Sequence, residues 1–253
     1  MKVIIPMAGL GSRFKKVVHL NPEYKQPKPF INVLGKPMIS WAIDSLAPFN
    51  LTPKDLIFIV QKKHHLNSKL KSLFGKDINI ISISNLTRGA AETALVGALT
   101  VDPEEDIIVS DSDHYFDGLS FFKSIDSKDK DTAGIIPVDT PIDDEIKHSY
   151  TLAPNKKHAI QVAEKDPLLA AQGAYSNIGA YYFSKAKIFT KEVQHMIKNN
   201  LTYGPKGKQE FYVAPIYQRL LDKNLKVQVA VTKKAWRLGT PADLDYFHKT
   251  FKP

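Results

Sequence analysis

The sequence predicts an α/β protein built on a doubly wound, mostly parallel sheet, with a smaller lobe added by its second half. Three observations carry that prediction. Short continuous apolar runs rich in β-branched residues, such as Leu56-Ile57-Phe58-Ile59-Val60, alternate with segments whose apolar residues recur at helical spacing. A single helix between successive strands requires a crossover, and crossovers build parallel βαβ units. The first run, Lys2-Val3-Ile4-Ile5, opens directly into a polar, glycine-bearing loop, at the strand end where open α/β sheets bind ligands.

The elements follow in order. Residues 37–47 carry Met38, Ile39, Ala42, Ile43 and Leu46 on one helical face, with Pro37 suited to the first turn. The strand 56–60 is followed by a helix marked by Leu66, Leu70, Leu73 and Phe74, then by a strand at 78–83. An alanine-rich helix at 90–99 leads to the strand 107–109, a helix at 119–125 and a strand at 133–138. From Ser149 the rhythm shifts to shorter extended pieces, at 159–163 and 176–183. Helices return at 185–197 and 213–221, followed by a strand at 227–231 and a closing helix at 241–251. There is no internal repeat, low-complexity tract or clear linker, so one domain is expected over 1–253, with halves 1–148 and 149–253.

Composition narrows the classes. A chain of 253 residues, 43% hydrophobic and 24% charged, is ordinary for a protein that buries a sizeable core. It has no cysteine, which removes disulfide scaffolds, thiol catalysis and thiolate metal sites. Met1-Lys2 runs straight into a short strand with no leader, and no apolar run reaches the about 18 residues that span a bilayer, so a cytoplasmic protein without a membrane partner is expected. The formal charge of +9 suits anionic ligands. Lysines fall in scattered pairs such as Lys62-Lys63 and Lys233-Lys234 without aromatic interleaving, so nucleic acid is not an expected partner.

The first loop, Pro6-Met7-Ala8-Gly9-Leu10-Gly11-Ser12-Arg13-Phe14, has the chemistry of a phosphate cradle. Gly9 and Gly11 carry no Cβ and tolerate positive φ, so amides of Ala8, Gly9, Leu10, Gly11 and Ser12 can turn toward an anion. Arg13 adds a forked donor, and Lys25 and Lys28 add point charges. An ordinary turn would show the same glycines. The loop is neither a P-loop, since no Gly-Lys-Ser/Thr follows, nor the three-glycine dinucleotide fingerprint.

Gly9-Leu10-Gly11-Ser12-Arg13-Phe14, then Lys28-Pro29-Phe30, then Gly35-Lys36-Pro37-Met38-Ile39 match in order and spacing. Together they resemble the opening signature of the sugar-1-phosphate nucleotidylyltransferases, in a short single-domain form. The resemblance implies a Rossmann-like nucleotidyltransferase fold with an acceptor-binding second half. It implies an enzyme that moves a nucleotidyl group from an NTP to a sugar phosphate or similar phosphorylated acceptor, with Mg²⁺ as cofactor and pyrophosphate as product. Arg13 and Lys28 would then act on the donor phosphates. A chain this short fits synthesis of surface-polysaccharide or lipid precursors, and leaves a homo-oligomer open. Cytidylyl transfer to a non-sugar phosphate is an alternative.

Further stations gain meaning from that resemblance. Gly89-Ala90-Ala91-Glu92-Thr93 reads by itself as a close-packed helix start, or as a place where a flat ring approaches backbone. In the family this segment lies against the nucleobase, which makes Gly89 and Ala90 base-pocket residues and Glu92 a reader of base or ribose. Ser110-Asp111-Ser112-Asp113 follows a buried strand, and its two carboxylates can reach one divalent cation or form an Asp-rich turn. The resemblance assigns Mg²⁺ to Asp111, with Asp113 close behind, and His114 reads as structural or substrate-lining rather than as a metal ligand. Glu164-Lys165 alone reads as a solvated pair, but the family places the lysine on the acceptor phosphate. Asn177-Ile178-Gly179 resembles the segment lining the sugar pocket, so Asn177 and Gly179 join Glu164 and Lys165 as acceptor residues.

Trp236-Arg237-Leu238-Gly239-Thr240-Pro241, then Asp243-Leu244, resembles the family's late segment with one departure. Arg237 stands where the family commonly has a second metal-binding aspartate. Three readings stay open: Asp113 supplies that carboxylate, fewer protein groups hold the metal, or Arg237 contacts phosphate itself. His64-His65 reads as structural, since adjacent helical residues share no face. Two rival functions are a metal-dependent glycosyltransferase, which also uses Asp-x-Asp, and a non-catalytic nucleotide-binding relative.

Overall fold

The computed structural model describes residues 1–141, 147–204, 206–207 and 209–252. Strand β1 (Lys2–Met7) ends in the glycine loop, which turns through Gly11 (φ +63°) into the short helix α1 (Ser12–Lys15). A tight hairpin of β2 (Asn32–Val33) and β3 (Lys36–Pro37) leads into α2 (Met38–Asp44). Then come β4 (Leu56–Gln61), α3 (Asn67–Phe74), β5 (Asn79–Ile83), α4 (Ala90–Ala98) and β6 (Ile107–Ser110), the alternation expected of βαβ units. The next elements are β7 (His114–Phe116), α5 (Leu119–Asp126) and β8 (Thr132–Asp139). The second half contributes β9 (Ser149–Leu152), β10 (Gln161–Glu164), α6 (Pro167–Ala171), β11 (Tyr175–Asn177) and β12 (Ala180–Phe183). It closes with α7 (Ala186–Lys198), α8 (Pro215–Leu221), β13 (Lys226–Val231), β14 (Ala235–Arg237) and α9 (Pro241–Thr250).

Ten strands form one sheet, in the order β10-β9-β11-β8-β12-β6-β1-β4-β5, with β13 on β8. Strands β6, β1, β4 and β5 pair in parallel, as does β13 with β8, whereas β9 to β12 pair antiparallel. Alternation along each strand splits the core between two faces. Val3, Ile5 and Met7 of β1 pack with Phe58 of β4, Ile39 of α2 and Phe121 of α5. Ile4 packs on the other face with Ile57, Ile59 and the α4 alanines. Every residue of β4 is buried, as expected of a strand covered on both sides. A Cβ on Gly97 would meet Ile4 and Ile59 side chains at 2.9 Å, so α4 is made of small residues because it lies so close to the sheet.

The feature that positions the site is a fork. Strands β11 and β12 are one bent strand along β8, broken at Ile178-Gly179. Beyond the bend their other edge pairs with β6, and before it with β9. The sheet therefore opens at the carboxyl end of β6, beside the glycine loop at the end of β1.

At the edge of this frame, Thr52 and Asp55 close a capping box: Thr52 N–H and Oγ1–H donate to Asp55 Oδ2 at 2.9 and 2.6 Å, while Lys2 Nζ donates to Oδ1 at 3.0 Å. Burial opposes ionisation of Asp55, but the bonds from Thr52 and Lys2 outweigh it and hold the carboxyl at about 2. A carboxyl depressed in the folded state contributes stability above its unfolded value, about 3.9, and loses that contribution as pH falls through the folded value. With the side chain partly exposed, Asp55→Asn is expected to cost about 1 kcal/mol near neutrality. Urea denaturation should show the deficit shrinking below about pH 4, where the parent also loses the interaction.

Candidate active site

Asp111 leaves β6 at the fork, where its N–H donates to Gly179 O at 2.8 Å. Gly179 takes φ +103°, and a Cβ there would stand 2.9 Å from Asp111 Oδ2 and 3.3 Å from His114 Nδ1. Only glycine lets the bent strand pass this close. Asp113 is fixed from the other side by a ribbon of β7 and β14, in which His114 faces Arg237 and Leu238 N–H donates to Asp113 O at 2.8 Å. A Cβ on Gly239 would meet Asp113 Oδ2 at 2.6 Å. Just beyond, Thr240 caps α9 through a bond from Asp243 N–H, with Pro241 in its first turn. The Gly-Thr-Pro-x-Asp pattern is thus a glycine forced by Asp113 followed by a helix start.

Lys28 lies beneath Gly11 and places Nζ 2.6 Å from Asp113 Oδ2. Burial raises the Asp111 carboxyl well above the carboxylate range, reinforced by the charge of Asp113. Burial acts the same way on Asp113, but Lys28 reverses it and holds this carboxyl low. Two half-buried carboxylates thus face one paired lysine, with the charge of Arg13 acting on Asp113 from farther off. That donor set fits a hard divalent cation, since Mg²⁺ takes one or two carboxylates plus phosphate oxygens. Among the described residues no group of three or more His, Asp or Glu side chains gathers to hold a metal. His114 is 1% exposed, with neither ring nitrogen hydrogen-bonded, and burial lowers it to about 4, so it stands neutral behind the site.

Two clefts meet at this floor. The larger, about 650 Å³, runs from the loop residues Ala8, Gly9, Leu10, Gly11 and Ser12 to Gly89 and Ala90. Gly89, at φ +153°, lies against the chain at Phe211: Ala91 N–H donates to Phe211 O at 2.9 Å, and Phe211 N–H to Arg88 O at 3.0 Å. Any Cβ on Gly89 would fall 2.5 Å from Phe211 O. Glu92, expected to read base or ribose, does not join this wall. Its carboxylate accepts from Arg88 N–H at 2.6 Å and from the Arg88 guanidinium at 2.7 Å, an i, i+4 pair at the start of α4.

The smaller cleft, about 400 Å³, brings together Arg13, Glu164, Lys165, Asn177, Gly179 and Arg237. Glu164 is buried, accepts from Ser149 Oγ–H, and lies 3.4 Å from Lys165 Nζ. Lys165 sits in the left-handed region at φ +53°, which turns its side chain into the cleft at the end of β10. Asn177 accepts from Thr151 Oγ1–H at 2.7 Å, and its own Nδ2 has no partner among the described residues, leaving a donor for a ligand oxygen. Arg237 is held by Asp139 through bonds of 2.7 and 3.2 Å, and also donates to Ser176 Oγ and Asn177 O. These bonds brace the end of β8 against β11 while Arg237 still lines the cleft, and the second carboxylate present on the floor is that of Asp113.

Sequence reasoning missed Tyr212, which lines both clefts. Its hydroxyl accepts from Lys165 Nζ–H at 2.7 Å, and its ring lies 4.5 Å from that ammonium. Burial disfavours the charge on Lys165, but Tyr212 and Glu164 outweigh it and keep the amine protonated. Tyr212→Phe removes one bond to a charged group while Glu164 still pairs the lysine. It is expected to raise the acceptor KM roughly tenfold with kcat and donor KM little changed. A steady-state split of the two KM values checks this.

The nucleotidyl transferase family matches residues 2–250, and the chain belongs to that family. It is 26% identical over 217 residues to the bifunctional protein GlmU of Thermosipho africanus (strain TCF52B), a match covering 85% of this chain and 43% of that protein. The chain thus spans under half the length of this curated relative. A nucleoside-diphosphate-sugar pyrophosphorylase from Vibrio cholerae RC9 superimposes with a TM-score of 0.74 at 23% identity, over 98% of this chain and 100% of the other. The inositol-1-phosphate CTP transferase from T. maritima gives 0.72 at 15% identity, over 100% and 98%. At such identities these structures establish the shared fold.

Proposed function

We propose that this protein transfers a nucleotidyl group from an NTP to a sugar phosphate or similar phosphorylated small molecule, releasing pyrophosphate. The observation that carries the reading is the pair of clefts sharing one acidic floor, so that two phosphorylated ligands meet over Asp111 and Asp113. An acceptor phosphate oxygen bonds to the α-phosphorus as the bond to the β-phosphate oxygen breaks, and pyrophosphate leaves with that electron pair. The phosphate is already a nucleophile at neutral pH, so catalysis rests on positioning and charge neutralisation. The glycine-loop amides and Arg13 hold the leaving pyrophosphate, Lys28 steadies the α-phosphate, and Lys165 orients the acceptor. Asp111 and Asp113 would hold Mg²⁺, which would supply positive charge to offset that of the phosphates.

Gly89 and Ala90 bed the base, and Asn177 offers its free amide to the acceptor. Residues 1–148 serve the donor and 149–253 the acceptor within one domain. Among the described residues no helix is long and apolar enough to cross a membrane. The reaction draws on NTPs, so it belongs in the cytoplasm, and surface-polysaccharide precursors are its proposed output. NTP labelled at the α- or the γ-phosphorus tests the chemistry. The α label should move to the acceptor and the γ label to pyrophosphate; release of a nucleoside diphosphate, with the γ label in the acceptor or in orthophosphate, would instead mean γ-phosphoryl transfer or hydrolysis and overturn the reading.

A further inference from the structure

Residues 177–179 wall the smaller cleft, and this wall is tied to the acidic floor at two points. At one end Gly179 O accepts from Asp111 N–H at 2.8 Å. At the other the tie runs through Arg237 and Asp139. Asp139 ends β8 opposite Ser176 of β11, and its Oδ1 accepts from Ser176 Oγ–H at 2.7 Å. The Arg237 guanidinium donates to both oxygens of Asp139, to Ser176 Oγ at 2.7 Å and to Asn177 O at 3.3 Å. The next residue, Leu238, gives its N–H to Asp113 O. One floor carboxylate is therefore linked to the wall directly, and the other through Arg237.

Three features mark this tie as a device for geometry rather than for stability. The Arg237 and Asp139 side chains are 15% and 8% exposed, and a buried ion pair adds little net stability over apolar groups of the same shape. A planar fork bonded to a carboxylate, a hydroxyl and a carbonyl fixes the directions of all three, which the single ammonium of a lysine does not. Among the described residues no other side chain of β14 bonds across to β8 or β11, since Trp236 donates to Thr250 of α9 and Ala235 has no polar side-chain atom. The wall held in this way carries Asn177. Its Oδ1 accepts from Thr151, and its buried Nδ2 has no partner among the described residues.

We infer that Arg237 and Asp139 form a positioning clamp, which holds the wall at Ser176-Asn177 in register with Asp113 so that the acceptor phosphate meets the donor in line. The inference rests on the nucleotidyl-transfer reading and adds to it a pair that acts through other residues. Arg237 lines the smaller cleft alone, and Asp139 lines neither. The clamp therefore governs use of the acceptor and leaves binding of the donor untouched.

Melting temperature, triphosphate affinity by calorimetry and steady-state pyrophosphate release, all on the full chain, test it in Arg237→Met, Asp139→Asn and the double variant. Arg237→Met strands a buried carboxylate and should lower the melting temperature. The double variant removes both charges, keeps an acceptor for Ser176 Oγ–H and should melt near the parent. Its kcat/KM for the acceptor should nonetheless stay about a hundredfold down, the cost of a misplaced reacting group, with triphosphate affinity within about twofold of the parent. Asp139→Asn, the milder probe, leaves the guanidinium in the cleft but removes one bond of the fork, and should lower the acceptor kcat/KM about tenfold. A double variant that regains stability and acceptor kcat/KM together would make the pair merely structural and overturn the clamp. Normal acceptor kinetics in Asp139→Asn, with Arg237→Met inactive, would place Arg237 on the acceptor itself and overturn it too. So would a matching loss of triphosphate affinity. A parent that releases no pyrophosphate with any NTP and acceptor would instead remove the nucleotidyl-transfer reading, and the clamp with it.

Discussion

Asp111→Asn is expected to lower turnover by about a thousandfold, equivalent to roughly 4 kcal/mol of transition-state stabilisation. The side chain sits on the floor common to both clefts, at the end of β6, under a glycine that admits no larger residue. Asparagine keeps the shape and removes the charge that would anchor a cation. Stability should move in the opposite sense to activity. Burial and Asp113 already disfavour ionised Asp111, and a group whose folded pKa is raised costs stability at the pH where it must ionise. A neutral isostere escapes that cost, so the melting temperature should hold or rise while kcat collapses. Turnover near the parent's, in a folded variant, would remove Asp111 from the chemistry.

The second large effect is expected at Lys28. Lys28→Met preserves much of the stem that lies beneath Gly11 but deletes the ammonium 2.6 Å from Asp113. Two losses follow. The donor phosphate loses a charge contact of the kind whose removal costs about a hundredfold in kcat. Asp113 also loses the cation that holds its carboxyl low, so the variant should be less stable at neutral pH. Because a depressed carboxyl contributes stability only above its unfolded value, this deficit should fade as pH drops through the acid range. Kinetics at saturating substrates and denaturation at several pH values read the two losses separately. A variant with normal kcat and a normal pH–stability profile would contradict both.

What was legible in the sequence had strong local causes. The strands 56–60 and 107–109 show as continuous apolar runs because both faces of those strands are covered, and the glycine loop shows because Gly11 makes a left-handed turn that favours glycine. What was hidden depends on distant partners. The β7–β14 ribbon joins His114-Tyr115-Phe116 to Ala235-Trp236-Arg237, short runs far apart in sequence, yet it is what aims Asp113. The departure at Arg237 could be noticed from the residue but not resolved, since its partner Asp139 comes from the end of β8. Tyr212 carries no local signal and acts only because Lys165 turns toward it. Glu92, a candidate reader of base or ribose from its position beside Gly89 and Ala90, pairs here with Arg88, a partner only four residues away.

The most direct test of the central claim is pyrophosphate release from CTP, GTP, UTP, dTTP and ATP, each with Mg²⁺, with and without a panel of phosphorylated acceptors. The account predicts release that requires one NTP, one phosphorylated acceptor and the cation together, and that disappears in Asp111→Asn. Release that is indifferent to the acceptor's phosphate, or that persists undiminished in that variant, would contradict it.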